Sequence, residues 1–84
     1  TIPAPSALHY RGGRPMIDMD LYPDMEMLFA DLAQAYRGAV RGFADAGCRY
    51  LQMDEVYIAY LCDEEQRGYL RNRGDDPEKL LGVY

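Results

Sequence analysis

Met25, Leu28, Phe29, Leu32, Tyr36, Ala39, Val40 and Phe43 recur at spacings of three, four and seven, which draws one apolar face of an α-helix. Glu26, Asp31, Gln34, Arg37, Arg41 and Asp45 fall on the opposite face. Asp24, following Pro23, suits the N-cap, because its side chain can accept from an unpaired first-turn N–H. Gly47 suits the C′ position, where φ is usually positive. The pattern predicts a helix over 24–46. Gly38 and Gly42 lie inside it, four apart; each costs about 1 kcal/mol relative to alanine, and small residues on one face let another backbone come close.

After Gly47 the period changes from helical to two. Over 50–54 a strand is predicted, with Leu51 and Met53 on one face and Tyr50, Gln52 and Asp54 on the other. A strand that buries Leu and Met while aiming Gln and Asp inward suits a barrel, where the carboxyl end of a strand opens into an active site. Residues 5–10 read as a short strand or extended segment, and 11–23 as a loop with two glycines and two prolines. Beyond Glu55 a loop is expected to lead into a helix over about 64–72, capped by Asp63 and ended by Asn72-Arg73-Gly74. Asp76-Pro77 starts a last helix over 77–83, with proline at its first position. The expected class is helix-dominated α/β: one βαβ unit plus following helices.

Composition narrows the partners. The 84 residues allow one small domain, and a chain of this length buries only about 60–65% of its unfolded surface. A net charge of −5 argues against nucleic acid, which requires a basic footprint. One local basic group exists, Arg11 and Arg14 around Gly12-Gly13; it reads as a small-anion cradle or as a solvated loop. Cys48, Cys62 and the single His9 are fewer than the four N or S ligands of a closed zinc site, so no metal is expected in this chain, although carboxylates could complete such a set. Cys48 reads as an inert buried thiol and Cys62 as a structural one. Two cysteines make no secreted disulfide framework, and reduced thiols in the cytoplasm are the simpler expectation. No apolar run of roughly 18 residues occurs, so no membrane span is expected. The start resembles no signal peptide and lacks an initiator Met, as expected of a processed, trimmed or excised chain.

Three segments together carry a family resemblance. They are Pro5-Ser6-Ala7-Leu8-His9-Tyr10-Arg11-Gly12-Gly13-Arg14, then Tyr22-Pro23-Asp24, then Asp45-Ala46-Gly47-Cys48-Arg49-Tyr50-Leu51-Gln52-Met53-Asp54-Glu55. Ala59-Tyr60-Leu61-Cys62-Asp63 continues the likeness. The chain resembles the catalytic carboxy-terminal barrel of the cobalamin-independent methionine synthases and their shorter relatives. The resemblance implies that residues 1–84 are one partial domain of a (β/α)₈ TIM barrel. It implies a parent methyltransferase, with methyl transfer from a methyltetrahydropteroyl polyglutamate, a folate, to homocysteine, giving methionine. A zinc ion in that family holds the homocysteine sulfur as thiolate, on ligands from strands beyond Tyr84, so the isolated chain is expected to be inactive.

The resemblance also implies residue roles. Asp54 matches the acid that holds the amino group of homocysteine or methionine; capping of the following turn is its other reading. Tyr10 stands where the family places an aromatic, usually tryptophan, near the pterin. His9, Arg11, Arg14 and Glu55 complete the expected substrate-binding set; His9 reads otherwise as a satisfied or exposed histidine, and Glu55 equally as bonded to the adjoining loop or solvated. Two further readings stay open. One is a small helical module that self-associates through helix 24–46. The other is a different barrel, of the uroporphyrinogen decarboxylase or corrinoid methyltransferase kind.

Overall fold

The computed structural model describes residues 1–84. In chain order it comprises β1 (Ile2–Pro3), α1 (Ala7–Tyr10), a 3₁₀ turn (Arg14–Met16), α2 (Met25–Asp45), β2 (Met53–Asp54), α3 (Tyr57–Tyr60), α4 (Glu64–Asn72) and α5 (Pro77–Val83). The protein is therefore helix-dominated α/β with a two-stranded parallel sheet. Ile2 pairs with Met53 and Pro3 with Asp54. No helix is long and apolar enough to cross a membrane.

The three longer helices begin where their caps predict. Asp24, Asp63 and Asp76 are extended, and each side chain accepts a first-turn N–H, from Glu26, Gln66 and Glu78 respectively. Two of these helices stop by the same device. Gly47 (φ +97°) and Gly74 (φ +95°) take the left-handed conformation. Around them, Gly47 N–H donates to Ala44 O and Cys48 N–H to Phe43 O, while Gly74 N–H donates to Arg71 O and Asp75 N–H to Leu70 O. Both are Schellman closures, which satisfy the otherwise orphaned carbonyls of the last turn.

The strand expected over 5–10 is displaced. The ladder lies at Ile2–Pro3, and Ala7–Tyr10 instead forms one helical turn. Pro3 fits the ladder because its missing N–H is on the open side: Ile2 N–H donates to Gln52 O and Ala4 N–H to Asp54 O, the alternate residues of a parallel pair. Ser6 then turns the chain, its carbonyl accepting from both His9 and Tyr10 N–H. The expected loop after Glu55 also contains a helical turn, α3, and the 11–23 loop contains the 3₁₀ turn. On β2 the ladder is confined to Met53–Asp54 rather than 50–54.

Aromatic and leucine side chains build the core. Leu70 (0% exposed), Leu61, Tyr10, Leu80 and Tyr57 form one cluster, joined by Ala7, Phe29 and Tyr84. Tyr10, Tyr57 and Tyr60 meet with ring centroids 4.8 to 5.9 Å apart. Arg73, the C-cap of α4, closes this core from above. Its Nε pairs with Asp75, its Nη1 donates to Tyr10 O at 2.5 Å, and its guanidinium lies 5.6 Å from the Tyr10 ring centroid and 5.4 Å from that of Tyr69.

Only part of the apolar face of α2 is used. Leu28 is buried and Met25, Phe29, Leu32 and Tyr36 are half-buried, but Ala39, Val40 and Phe43 are exposed. The molecule is a slab of 44 × 32 × 18 Å with a radius of gyration of 14.3 Å, against about 12 Å for a compact 84-residue domain. Its accessible surface is 5906 Å², about 800 Å² more than a compact monomer of this mass exposes. That excess matches one partner's share of a standard interface. Part of the exposed apolar surface lies on the second half of α2 and on β2, at Val40, Phe43 and Met53, and part on the segment over 8–21, at Leu8, Met16, Met19 and Leu21.

Candidate functional site

Asp54 ends β2, and Glu55 follows at once, so the two adjacent carboxylates point to opposite sides of the chain. The structure gives them different work. Glu55 is turned inward: its Oε1 accepts from the backbone N–H of Tyr57 (2.6 Å) and of Ile58 (3.0 Å), and its Oε2 accepts from the Ser6 hydroxyl. Of its two open readings, bonding to the adjoining loop is the one observed; it starts α3 and ties it to the N-terminal turn. Asp54 stays exposed, its Oδ1 taking one hydrogen bond from Gln52 Nε2 at 2.6 Å. Gln52 lies two residues back on the same strand face, so it orients the carboxylate without neutralising it.

A cavity of about 290 Å³ opens beside the strand pair, with Thr1, Ile2, Pro3, Arg11, Asp54, Val56 and Tyr57 in its wall. Arg11 reaches it from the loop after α1. Its Nε donates to the Tyr57 hydroxyl at 2.8 Å. Tyr57 is itself buried in the core, so the exposed Arg11 is anchored at one nitrogen. The four ion pairs of the protein belong to Arg67, Arg71 and Arg73. Arg11 and Asp54 thus present opposite charges to one cavity without neutralising each other.

The remaining expected site residues lie elsewhere. Arg14 donates from Nη1 to Tyr22 O at 2.5 Å and from Nη2 to Pro23 O at 3.3 Å, pinning the loop before α2. Arg11 and Arg14 therefore have separate partners around Gly12-Gly13 rather than a common focus. Tyr10 is buried; its hydroxyl donates to Gln66 Oε1 at 3.0 Å and its ring packs on Tyr57. Cys48 is half-buried, with its thiol donating to Tyr50 O at 3.1 Å, and Cys62 is exposed.

His9 lines a second cavity, of about 270 Å³, which shares no wall residue with the first. Its ring is only 2% exposed and meets Phe29 edge-on, with centroids 5.2 Å apart. Its Nδ1 lies 2.6 Å from the Tyr84 hydroxyl. Burial is the main influence on its pKa, which is lowered; Asp75 opposes the shift and Arg73 adds to it. Burial likewise pushes the Tyr84 phenol well up. A neutral ring beside a protonated phenol lets the Tyr84 O–H donate to Nδ1. The contact between His9 Nδ1 and the Tyr84 hydroxyl ties α1 to the end of the chain after α5. No three of the His, Cys, Asp and Glu side chains converge into a group that would hold a metal ion.

Sequence reasoning singled out Asp54 and Arg11 but not Tyr57, and it placed Gln52 beside Asp54 without giving it a role toward the acid. Gln52 was discernible from its i, i+2 placement on the strand face. Nothing in the pattern around Tyr57 marked it as the residue that anchors Arg11.

Together these features define a helix-dominated α/β chain whose parallel strand pair carries a cavity of mixed charge. Two curated proteins of Bacillus subtilis (strain 168) are similar over its whole length. The uncharacterized protein YxjH is 39% identical over 84 residues, and the uncharacterized protein YxjG is 36% identical over 85. The chain spans 22% of the length of each. No family model matches the chain, and no solved structure matches it.

Proposed function

We propose that this chain is a segment of a (β/α)₈ barrel methyltransferase of the cobalamin-independent methionine synthase type, acting on homocysteine with a folate as methyl donor. The observation that carries the reading is the parallel pairing of β1 with β2 across α2, which leaves Asp54 exposed at the carboxyl end of its strand. That is where barrel enzymes place their substrate groups. The motif over 47–55, read with the segment over 5–14, supports the particular family. So does the uncovered second half of α2: a barrel helix packs along its apolar face against the sheet and its neighbours, and here that layer is lacking.

In this reading Asp54 holds the substrate ammonium, oriented by Gln52. A charge-assisted carboxylate–ammonium hydrogen bond discriminates against a ligand that lacks the charge. Glu55 acts one step back, fixing α3 and hence Tyr57. In the family that the chain resembles, zinc supplies the thiolate form of the substrate sulfur. In this reading none of this chain's own residues is assigned as a ligand to that zinc.

The test is Asp54→Asn in the intact protein, assayed for methyl transfer to homocysteine. The KM for homocysteine should rise about tenfold or more, with a smaller change in kcat. An unchanged KM would show that Asp54 does not hold the amino group. Absence of methyl transfer by the intact wild-type protein would sink the reading as a whole.

A second reading, self-association through α2, is favoured by the exposure of Val40 (38%) and Phe43 (41%) on its apolar face. The isolated 84-residue chain should then run as a dimer or larger species in light scattering. A sharp monomer with cooperative unfolding would count against it.

A further inference from the structure

The cavity beside the strand pair contains a second charge that the reading of Asp54 leaves without a task. We propose that Arg11 holds the carboxylate of the same amino-acid ligand whose ammonium Asp54 holds, so that the two residues together select a zwitterion. The assignment rests on the reading of Asp54 given above and extends it to the other end of the substrate.

Both residues line the same cavity, Arg11 from the loop after α1 and Asp54 from the end of β2. Each is held in place by a neutral group rather than by an opposite charge. The Tyr57 hydroxyl takes Arg11 Nε at 2.8 Å, and Gln52 Nε2 donates to Asp54 Oδ1 at 2.6 Å. Those two contacts are the side-chain hydrogen bonds that these residues make. The terminal guanidinium nitrogens and Asp54 Oδ2 are left for a ligand. A guanidinium fixed through Nε can still offer two parallel N–H groups from its terminal nitrogens, the fork that matches a carboxylate.

Arg11 and Asp54 line one cavity and form no ion pair with each other. A ligand carrying one cation and one anion satisfies both at once. A ligand with only one of them leaves a charge facing its cavity unpaired. Ile2, Pro3 and Val56 supply the apolar wall for the hydrocarbon between. The volume of about 290 Å³ suits a small amino acid and is well below what a pterin with its glutamate tail would fill.

Calorimetric titration of the intact protein with three ligands tests the assignment: methionine, 3-(methylthio)propylamine, which lacks the carboxylate, and 4-(methylthio)butanoate, which lacks the ammonium. Methionine should bind at least about tenfold more tightly than either. Arg11→Gln should weaken methionine and 4-(methylthio)butanoate about tenfold and leave the amine unchanged. Arg11→Lys, which keeps the charge without the fork, should fall between. Tyr57→Phe, which frees Arg11 from its anchor, should weaken the two carboxylates and spare the amine. If Arg11→Gln left both carboxylate ligands unaffected while Asp54→Asn still weakened methionine, Arg11 would lose its role and the Asp54 reading would stand. If Asp54→Asn left methionine binding unchanged while Arg11→Gln weakened both carboxylates, the reverse would hold. Wild-type protein that binds methionine no better than the amine overturns the assignment outright.

Discussion

Leu70→Ala should lower the unfolding free energy of this chain by about 3 kcal/mol, within the usual range for a leucine truncated in a packed core. Leu70 is the one large side chain with no exposure at all, and it sits at the centre of a cluster of only five buried residues. Two features push the cost up. A core this small has few neighbours able to move into the space left behind. The Leu70 carbonyl also accepts from both Arg73 and Asp75 N–H, so relaxation around the cavity disturbs the end of α4 as well. Stability of small domains is marginal to begin with, and a loss of this size shows as a large drop in the denaturant midpoint or as a chain already unfolded in buffer. Leu81→Ala, on the half-exposed side of α5, is the control and should cost well under 1 kcal/mol. Equal losses for the two leucines would mean that the core is not centred where it is drawn here.

The second large effect is expected at Arg73. Its side chain is 12% exposed and that of its partner Asp75 is 16% exposed. Arg73→Ala strands the Asp75 carboxylate, frees the Tyr10 carbonyl and removes the cation from between two tyrosine rings. Breaking a buried pair from one side costs about 3–5 kcal/mol; the residual exposure of both partners brings the expected loss to about 2–4 kcal/mol. Arg73→Lys should recover only part of it, because an ammonium cannot serve Asp75 and Tyr10 with a planar fork. The decisive comparison is the double variant Arg73→Ala with Asp75→Asn. Removing the stranded charge should make it more stable than Arg73→Ala alone, by denaturant titration at neutral pH. If the double variant is the weaker protein, the pair is not what holds this corner together. The Nη2 of Arg73 is buried without a hydrogen-bond partner, so this guanidinium is already imperfectly satisfied. Its worth therefore lies in the contacts of its other two nitrogens and its stacking.

These two residues also show what the sequence could and could not convey. The helices over 25–45, 64–72 and 77–83 were legible because each carries an aspartate cap, and two of them a glycine stop; these are local rules. The strand was misplaced by a few residues, since a ladder of two residues that includes Pro3 has no period to read, and only the parallel register shows that its missing N–H faces outward. Asp54 was legible as an acid at a strand end. Its sharing of a cavity with Arg11 was not, since that depends on a turn at Ser6 and on a tyrosine whose hydroxyl points back across the fold. Arg73 read simply as part of a helix terminator. Its burial over Tyr10 follows from Gly13, which lies so close that an added Cβ would sit 3.0 Å from the Arg73 guanidinium carbon.

The tyrosine-built core makes this chain its own optical probe. It has eight tyrosines, two phenylalanines and no tryptophan, so phenols dominate its near-ultraviolet signal. Tyr50 is 82% exposed, whereas Tyr84 is enclosed near His9 and keeps its proton far longer. In rising alkali the Tyr84 phenol therefore ionises late, in a step that waits for the core to open. The unfolding of an unlabelled chain can be followed by that late step, with the ring at the end of α5 as its reporter.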